Sequence, residues 1–89
     1  MNINQSPHFK RSYQKLSLDI QKDFDEKIFL FIENPRHISL RTHKLKGHWG
    51  ECFAFHLKSG NRVFFEFSED KEVNLLEVGV HDLYRKRRK

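Results

Sequence analysis

The sequence predicts an α+β domain in which two N-terminal helices pack on a twisted antiparallel sheet. Two observations carry this prediction. Apolar residues recur at helical spacing up to Asn34-Pro35, and from Arg41 onward they alternate with polar residues at the period of a strand. A length of 89 residues suits one domain with a modest core. We therefore expect a single domain over residues 1–89, with a basic tail at 85–89.

The two helices have recognisable start and stop signals. Ser6 followed by Pro7 is typical of an N-cap and a first helical residue, and Ser17 can cap the second helix. Asn34-Pro35 should end that helix, because proline disfavours helical backbone in the residue before it. The apolar stripes recur every three or four residues: Phe9, Tyr13 and Leu16 in the first helix, then Ile20, Phe24, Ile28 and Phe31 in the second. Such closely spaced helices favour a helical hairpin.

The alternating region predicts four strands, near 41–47, 51–57, 61–67 and 72–80. Met1–Gln5 is a candidate for a short additional strand. Alternation also assigns each residue of the last strand to one side of the sheet. Those expected to face the helices are Leu76, Val78 and Val80, and those expected to face away are Leu75, Glu77, Gly79 and His81.

The turn between the second and third of these strands fixes their register. A two-residue loop would mix the apolar and polar faces, whereas a three-residue loop, Lys58-Ser59-Gly60, pairs His56 with Arg62. Residues directly opposite each other in an antiparallel pair share a face. We therefore predict that His56 and Arg62, together with His81, lie on the side of the sheet away from the helices.

Positive charge and histidine are concentrated in the middle of the chain. The net charge is +5, and residues 34–65 hold six Lys/Arg and four His but only one carboxylate, Glu51. Fixed positive charge attracts phosphates, and histidine can shuttle protons near neutral pH. This tract predicts a polyanionic partner, with nucleic acid as the leading class and an acidic protein as the second.

The composition argues against several other classes of protein. Cys52 is the only cysteine, which excludes an internal disulfide and a cysteine-rich zinc site. No H-x-x-x-H spacing is present, so we expect no metal and no other cofactor. The longest apolar run, Ile28–Ile32, is far shorter than the ~20 residues that cross a bilayer. The N-terminus lacks a signal-peptide core, and we expect a cytoplasmic protein without membrane attachment.

Five local motifs, in order, resemble the RelE/ParE superfamily of bacterial toxins from type II toxin–antitoxin systems. The opening helix is similar to that family's S-P-x-F…L-x-K-L pattern, and the later segments to its H-x-L-x-G, Y-R-V-I-F and I-G-x-H-D-x-x-Y patterns. The matching segments are Ser6–Leu16, Glu33–Pro35, His43–Gly47, Gly60–Phe65 and Val78–Tyr84. The resemblance covers almost the whole chain.

The resemblance implies two alternative toxic activities on one fold. RelE-like, HigB-like and YafQ-like members are endoribonucleases that cut mRNA in the ribosomal A site, whereas ParE-like members inhibit DNA gyrase. Both kinds are neutralised by an antitoxin protein. The histidine-rich face favours the mRNA endonuclease, because gyrase inhibition needs a binding surface and no acid–base groups.

The family motifs assign candidate roles to four residues, and the predicted strand pairing adds a fifth. Metal-independent RNA cleavage needs a base for the 2′-hydroxyl, positive charge on the phosphate and an acid for the leaving oxygen. Arg62 matches the family arginine that would hold the phosphate, and His81 matches the histidine of the G-x-H-D motif as acid or base. His43 is a second acid–base candidate, and His56 is a third because of its predicted place beside Arg62. Tyr84 would orient the phosphate or stack on a base.

The remaining candidates would bind RNA through charge or stacking. These residues are Lys44, Lys46, Arg41, Lys58, Trp49 and Arg85. Strand parity sets His43 beside Leu45 and therefore predicts that it points inward, unless the strand bulges or begins later. Asn61 stands where many members have Tyr, and Ala54 where the RelE branch has Lys. The spacing from His81 to Tyr84 is also one residue shorter than in H-D-x-x-Y. Ala54 and this shortened motif keep a third hypothesis open, a non-catalytic module that binds RNA or antitoxin.

Overall fold

The computed structural model describes residues 1–45, 52–69 and 71–80. Its elements, in chain order, are β1 (Asn2–Gln5), α1 (Pro7–Gln14), α2 (Leu18–Glu33), β2 (His43–Lys44), β3 (Cys52–His56), β4 (Asn61–Phe67) and β5 (Glu72–Val80). Two 3-10 turns, Ile38–Leu40 and Lys58–Gly60, lie between them. The predicted α+β class is confirmed. Within the described ranges, none of the helices has the length and apolar character needed to cross a membrane.

Both helices begin at the predicted caps. The Ser6 hydroxyl accepts a hydrogen bond from the Phe9 N–H at 2.9 Å, and the Ser17 hydroxyl accepts one from the Ile20 N–H at 3.4 Å. Each bond satisfies one of the N–H groups that a helix start leaves without a partner. The second helix ends at Glu33, with Asn34 as its C-cap. The helices pack together as a hairpin, with the rings of Phe9 and Phe24 5.5 Å apart.

The five strands form one mixed sheet in the order β1-β5-β4-β3-β2. The β2–β3, β3–β4 and β4–β5 pairs are antiparallel, as predicted. The N-terminal strand β1 instead runs parallel to β5, from Asn2 opposite Glu72 to Gln5 opposite Leu75. The last residues of β5 therefore extend beyond β1, and α1 packs beside them through the Ser12 hydroxyl, which accepts a hydrogen bond from the Val78 N–H at 3.1 Å.

The strand predicted near 41–47 begins later than expected. A 3-10 turn covers Ile38–Leu40, and Arg41 closes it with a left-handed backbone at φ 52°. The strand can start only after this turn, so β2 holds two described residues, His43 and Lys44. The last two residues of the predicted strand, 46 and 47, lie outside the described residues.

The main core lies between the helices and the inner face of the sheet. Stacked aromatic rings join the two layers: Phe31 of α2 lies 4.8 Å from Phe55 and 4.9 Å from Phe65, centroid to centroid. Offset and edge-to-face ring pairs of this kind add to the free energy gained from burial. All three side chains are fully buried.

A second, smaller apolar cluster lies on the opposite side of the sheet, which we call the outer face. Its buried members are Leu45, Cys52, Ala54 and Phe64, with the partly buried Leu76 packed against them. This cluster was not predicted, because alternation assigned the outer face to polar residues. Its presence shows that both faces of the sheet centre are covered.

A bulge in β5 makes the predicted sides of Leu75 and Leu76 wrong. Phe64 pairs with Glu77 and Phe65 with Leu75, so Leu76 is an extra residue on β5. An extra residue reverses the alternation beyond it. Leu75 is therefore fully buried in the main core and Leu76 joins the outer cluster, the reverse of the prediction.

Beyond the bulge the alternation of β5 agrees with the prediction for Val78, which is 1% exposed in the main core. Val80 was also expected to point inward but is 48% exposed. It is the last described residue of β5 and pairs with Asn61, the first residue of β4. His81 lies outside the described residues.

Candidate functional site

The β3–β4 hairpin places His56 directly opposite Arg62, as predicted. The turn between the two strands has three residues, Lys58–Gly60. The Leu57 N–H donates to the Asn61 carbonyl at 2.8 Å and closes this turn. Gly60 takes a left-handed backbone with φ 75°, which glycine adopts without steric cost. The predicted register, and with it the neighbourhood of His56 and Arg62 on the outer face, is confirmed.

His43 also lies on the outer face, which corrects the prediction that it points inward. It pairs with Ala54 across the strands, and its ring centroid lies 5.4 Å from that of His56. The prediction failed because Leu45 was assigned to the main core. Leu45 belongs to the outer cluster, so the side chain that shares its parity faces outward as well.

A hydrogen bond determines which nitrogen of His43 carries hydrogen. The Nδ1 atom lies 3.0 Å from the Arg41 carbonyl oxygen. A carbonyl can only accept, so Nδ1 is the donor, and in the neutral ring Nε2 is the acceptor. The ring is thereby oriented by the backbone of the 3-10 turn, with Nε2 left as the atom that can exchange a proton with a ligand.

His56 and Arg62 line a basin of about 500 Å³. The other residues that line it are Lys27, Ser39, Arg41, Leu57, Lys58 and Gly60. Four cationic side chains therefore surround one concave surface. Lys58 extends from the loop and lies with its Nζ 3.3 Å from an Asp19 carboxylate oxygen, and Arg41 is exposed. Concave surfaces lined by one sign of charge concentrate counter-ions, here anions.

The basin lowers the pKa of His56. Partial burial is the largest cause, and the positive charges of Arg62, His43 and Arg41 add to it. Each cause disfavours the protonated ring. His56 is therefore neutral at neutral pH and can accept a proton from a ligand held in the basin.

Two residues of α2 belong to this site although the sequence did not point to them. Lys27 lines the basin, and its Nζ lies 2.9 and 3.0 Å from the two carboxylate oxygens of Asp23. From the sequence alone, Asp23 is interpreted as a negative charge near the positive end of the α2 dipole. Its position three residues after the core residue Ile20 was the available signal, because that spacing puts a carboxylate on the buried stripe of α2.

The other predicted residues are distributed unevenly. Lys44 is exposed on β2 next to His43, and neither residue lines the basin. Lys46, Trp49, His81, Tyr84 and Arg85 lie outside the described residues, and their roles stay predictions.

Cys52 is not a nucleophile in this structure. It is 2% exposed in the outer cluster, and burial together with the charge of Glu66 raises its pKa to about 11. At neutral pH it is a thiol, whereas a reactive cysteine is a thiolate. Among the described parts of the chain, no three His, Cys, Asp or Glu side chains are grouped so that they could hold a metal ion.

This arrangement of two helices on a five-stranded sheet is the fold of RelE-, YafQ- and ParE-type toxins, which confirms the predicted resemblance for the fold. A copper-bound mutant toxin from Helicobacter pylori has 24% sequence identity and a TM-score of 0.77, over 93% of this chain and 97% of that one. A YoeB/ParE toxin from Agrobacterium tumefaciens has 13% identity and a TM-score of 0.77, over 91% and 99%.

YafQ from E. coli has 15% identity and a TM-score of 0.73, over 93% of this chain and 96% of that one. The E. coli RelBE toxin–antitoxin complex contains a chain with 22% identity and a TM-score of 0.69, over 89% and 94%. No family model and no curated protein sequence matches this chain. The likeness therefore lies in the fold, with little sequence identity behind it.

Proposed function

We propose that this protein is the toxin of a toxin–antitoxin system and that it cleaves mRNA on the ribosome without a metal ion. The observation that supports this most strongly is that His56, which is kept neutral, lines one basin together with Arg41 and Arg62, while the ring of His43 lies 5.4 Å from that of His56. Cleavage of RNA by its own 2′-hydroxyl needs a base, a phosphate clamp and an acid.

Arg62 would hold the phosphate that is attacked. Its guanidinium offers donors in a fixed planar fork that fits two phosphate oxygens at once. Arg41 and Lys58, at the margin of the same basin, would hold the neighbouring phosphates, and Lys44 would extend this contact along β2. We assign the same role to Lys46 and Arg85, and base stacking to Trp49, from the sequence alone.

His56 would act as the general base. It takes the proton of the 2′-hydroxyl while that oxygen forms a bond to the adjacent phosphorus. The bond from phosphorus to the 5′-oxygen breaks, and the products are a 2′,3′-cyclic phosphate and a 5′-hydroxyl. A lowered pKa suits this role, because the ring is then unprotonated when the substrate arrives.

An acid must protonate the leaving 5′-oxygen. His43 is a candidate because its ring lies next to that of His56 and its Nδ1 is already engaged with a backbone carbonyl. His81 is the candidate that the family motif supplies, and Tyr84 the residue that would orient the phosphate. We propose His43 and His81 as alternatives for this single role.

The partners in this proposal are mRNA, the ribosome and a cognate antitoxin in the cytoplasm. The net charge of +5 suits ribosomal RNA as well as the mRNA itself. The E. coli chains of similar fold occur in a RelBE and in a DinJ–YafQ toxin–antitoxin complex. An acidic antitoxin segment would compete with RNA for the same cations.

The test is primer extension on a defined mRNA in a reconstituted translation reaction. Wild-type protein should cut at A-site codons and leave 2′,3′-cyclic phosphate ends, the products of attack by the 2′-hydroxyl. His56→Ala should reduce cutting strongly, and comparison of His43→Ala with His81→Ala should show which histidine is the acid. Intact mRNA with the wild type would reject the endonuclease.

One observation keeps gyrase inhibition as the second candidate: a solved structure of similar fold is a YoeB/ParE toxin. The same protein preparation should be added to a gyrase supercoiling reaction. Supercoiling that stops, with mRNA left intact, would support the gyrase inhibitor. No effect in either assay would support the third hypothesis, a non-catalytic binding module.

A further inference from the structure

A buried carboxylate, that of Asp23, contacts two residues that line the basin, Lys27 and Lys58. Asp23 is 8% exposed, although it sits on a helix next to a cationic surface. Its Oδ2 accepts the Lys58 backbone N–H at 2.9 Å, across 35 residues of chain. Both of its oxygens also receive the Lys27 ammonium. Buried carboxylates are retained when every oxygen has a partner, and this one does.

The contact with Lys58 fixes the loop that forms one wall of the basin. Lys58–Gly60 connects β3 to β4, and His56 and Arg62 are the paired strand residues nearest to it. This hydrogen bond joins the backbone of the loop directly to a side chain of α2. A shift of this loop would move the Lys58 side chain and the ends of both strands together.

The contact with Lys27 cancels the charge of Asp23. A bare carboxylate so close to the basin would repel a phosphate, and the ammonium of Lys27 removes that repulsion. The pKa of Asp23 depends on two opposing effects, its burial and its contacts with Lys27 and Lys58. Burial alone would raise it, but the hydrogen bonds and charges of Lys27 and Lys58 lower it below the usual value. The carboxylate is therefore ionised at neutral pH and is fully engaged inside the protein.

We propose that Asp23 is a positioning residue for RNA binding: its carboxylate oxygen holds the Lys58–Gly60 loop in the form that lets the basin grip RNA phosphates, while Lys27 neutralises it. This inference rests on the proposed function, because it takes the basin to be the RNA site. It adds a residue of α2 that touches no RNA and acts through the loop.

Two substitutions at Asp23 separate positioning from charge. Asp23→Ala and Asp23→Asn remove the same negative charge, and charge alone predicts that both bind RNA more tightly than the wild type. Only Asn keeps an oxygen that can accept the Lys58 N–H. Positioning therefore predicts that Asp23→Ala binds about ten-fold more weakly than Asp23→Asn, the size expected for one such hydrogen bond.

The experiment measures the Kd of a short RNA with 2′-O-methyl groups, which cannot be cleaved, by fluorescence anisotropy. Glu26→Gln is the matched control, since Glu26 is an exposed carboxylate on the same helix and its loss changes the net charge equally. Circular dichroism and thermal unfolding show that each variant is folded. If Asp23→Ala fails to fold, Asp23→Ser takes its place, because the serine side chain is too short for its hydroxyl to reach the Lys58 N–H.

Weak binding by Asp23→Ala, with Asp23→Asn at or above wild-type affinity, is the expected result. Equal Kd values for these two variants would overturn the inference and leave the proposed function standing. RNA that does not bind the wild type at all would also overturn the inference, whereas the proposed function fails only if mRNA stays intact in the translation reaction, so the two failures are distinguishable.

Discussion

The two ends of the outer face differ in chemistry although the same strands form them. Along β4 the outward residues are Arg62, Phe64 and Glu66, so the surface passes from cationic through apolar to acidic over about 14 Å. At the Arg62 end lie the histidines and the basin. At the Glu66 end, its carboxylate accepts a hydrogen bond from Asn74 at 3.0 Å, and Asn74 in turn accepts one from Asn4 at 3.1 Å.

The residues that stabilise the sheet and the residues proposed for catalysis therefore lie at different positions along the same strands. The middle of the outer face is buried and stabilises the sheet, whereas the Arg62 end is open and carries the charge. An RNA backbone would be attracted to one end and repelled from the acidic one, which would limit how the strand can lie on this face. Substitutions in the buried middle should therefore change stability, and substitutions at the Arg62 end should change activity.

Replacing Phe64 should affect stability and leave the chemistry intact. Phe64 is 2% exposed in the outer cluster, and Phe64→Ala should lower the free energy of unfolding by about 3–5 kcal/mol through lost burial and the cavity left behind. Urea unfolding measures this loss. Cleavage per folded molecule should stay near that of the wild type. A loss below about 1 kcal/mol would show that the cluster does not support the sheet.

Replacing Asp23 should lower stability in a pH-dependent way, unlike Phe64→Ala. The pKa of Asp23 is lowered in the folded protein, so its contribution is present above the unfolded pKa and is lost as pH falls through the folded pKa. Asp23→Asn should cost about 1–3 kcal/mol at neutral pH. Urea unfolding between about pH 7 and about pH 2 should show the difference in unfolding free energy between the wild type and Asp23→Asn disappearing in acid. A difference that stays constant would contradict an ionised Asp23 as its source.

Replacing Arg41 should have the smallest effect, a shift in pH dependence. Arg41 is one of the positive charges that lower the pKa of His56, so Arg41→Met should raise that pKa. If His56 is the base, activity falls as pH drops through its pKa, and the acid limb of the kcat/KM profile should move to higher pH. NMR titration of the ring gives an independent value. Lys44→Met is the control and should not move the limb.

The sequence was sufficient for those features that depend on neighbours along the chain. Ser6 and Ser17 mark the helix starts because a cap is a local hydrogen bond. The pairing of His56 with Arg62 follows from the length of one loop and the alternation on either side of it. These contacts span a few residues, and a local pattern contains the information that determines them.

Features that depend on distant contacts could not be predicted in this way. The bulge at Leu76 leaves no mark in the alternation, since Leu75 and Leu76 are both leucines and either suits a core. The side of the sheet on which His43 lies depends on a second apolar cluster. The role of Asp23 depends on a hydrogen bond to Lys58 that joins two distant parts of the chain.

The central claim is that the Arg62 end of the outer face is the catalytic end. The most direct measurement compares Arg62→Ala with Glu66→Gln, two changes of opposite charge on the same strand and face, in cleavage of one defined mRNA during translation. Arg62→Ala should slow cleavage by about 10²–10³-fold, the usual loss when a transition-state donor is removed, while Glu66→Gln cleaves at the wild-type rate. Cleavage by Arg62→Ala at the wild-type rate, in a protein shown to be folded, would contradict the claim.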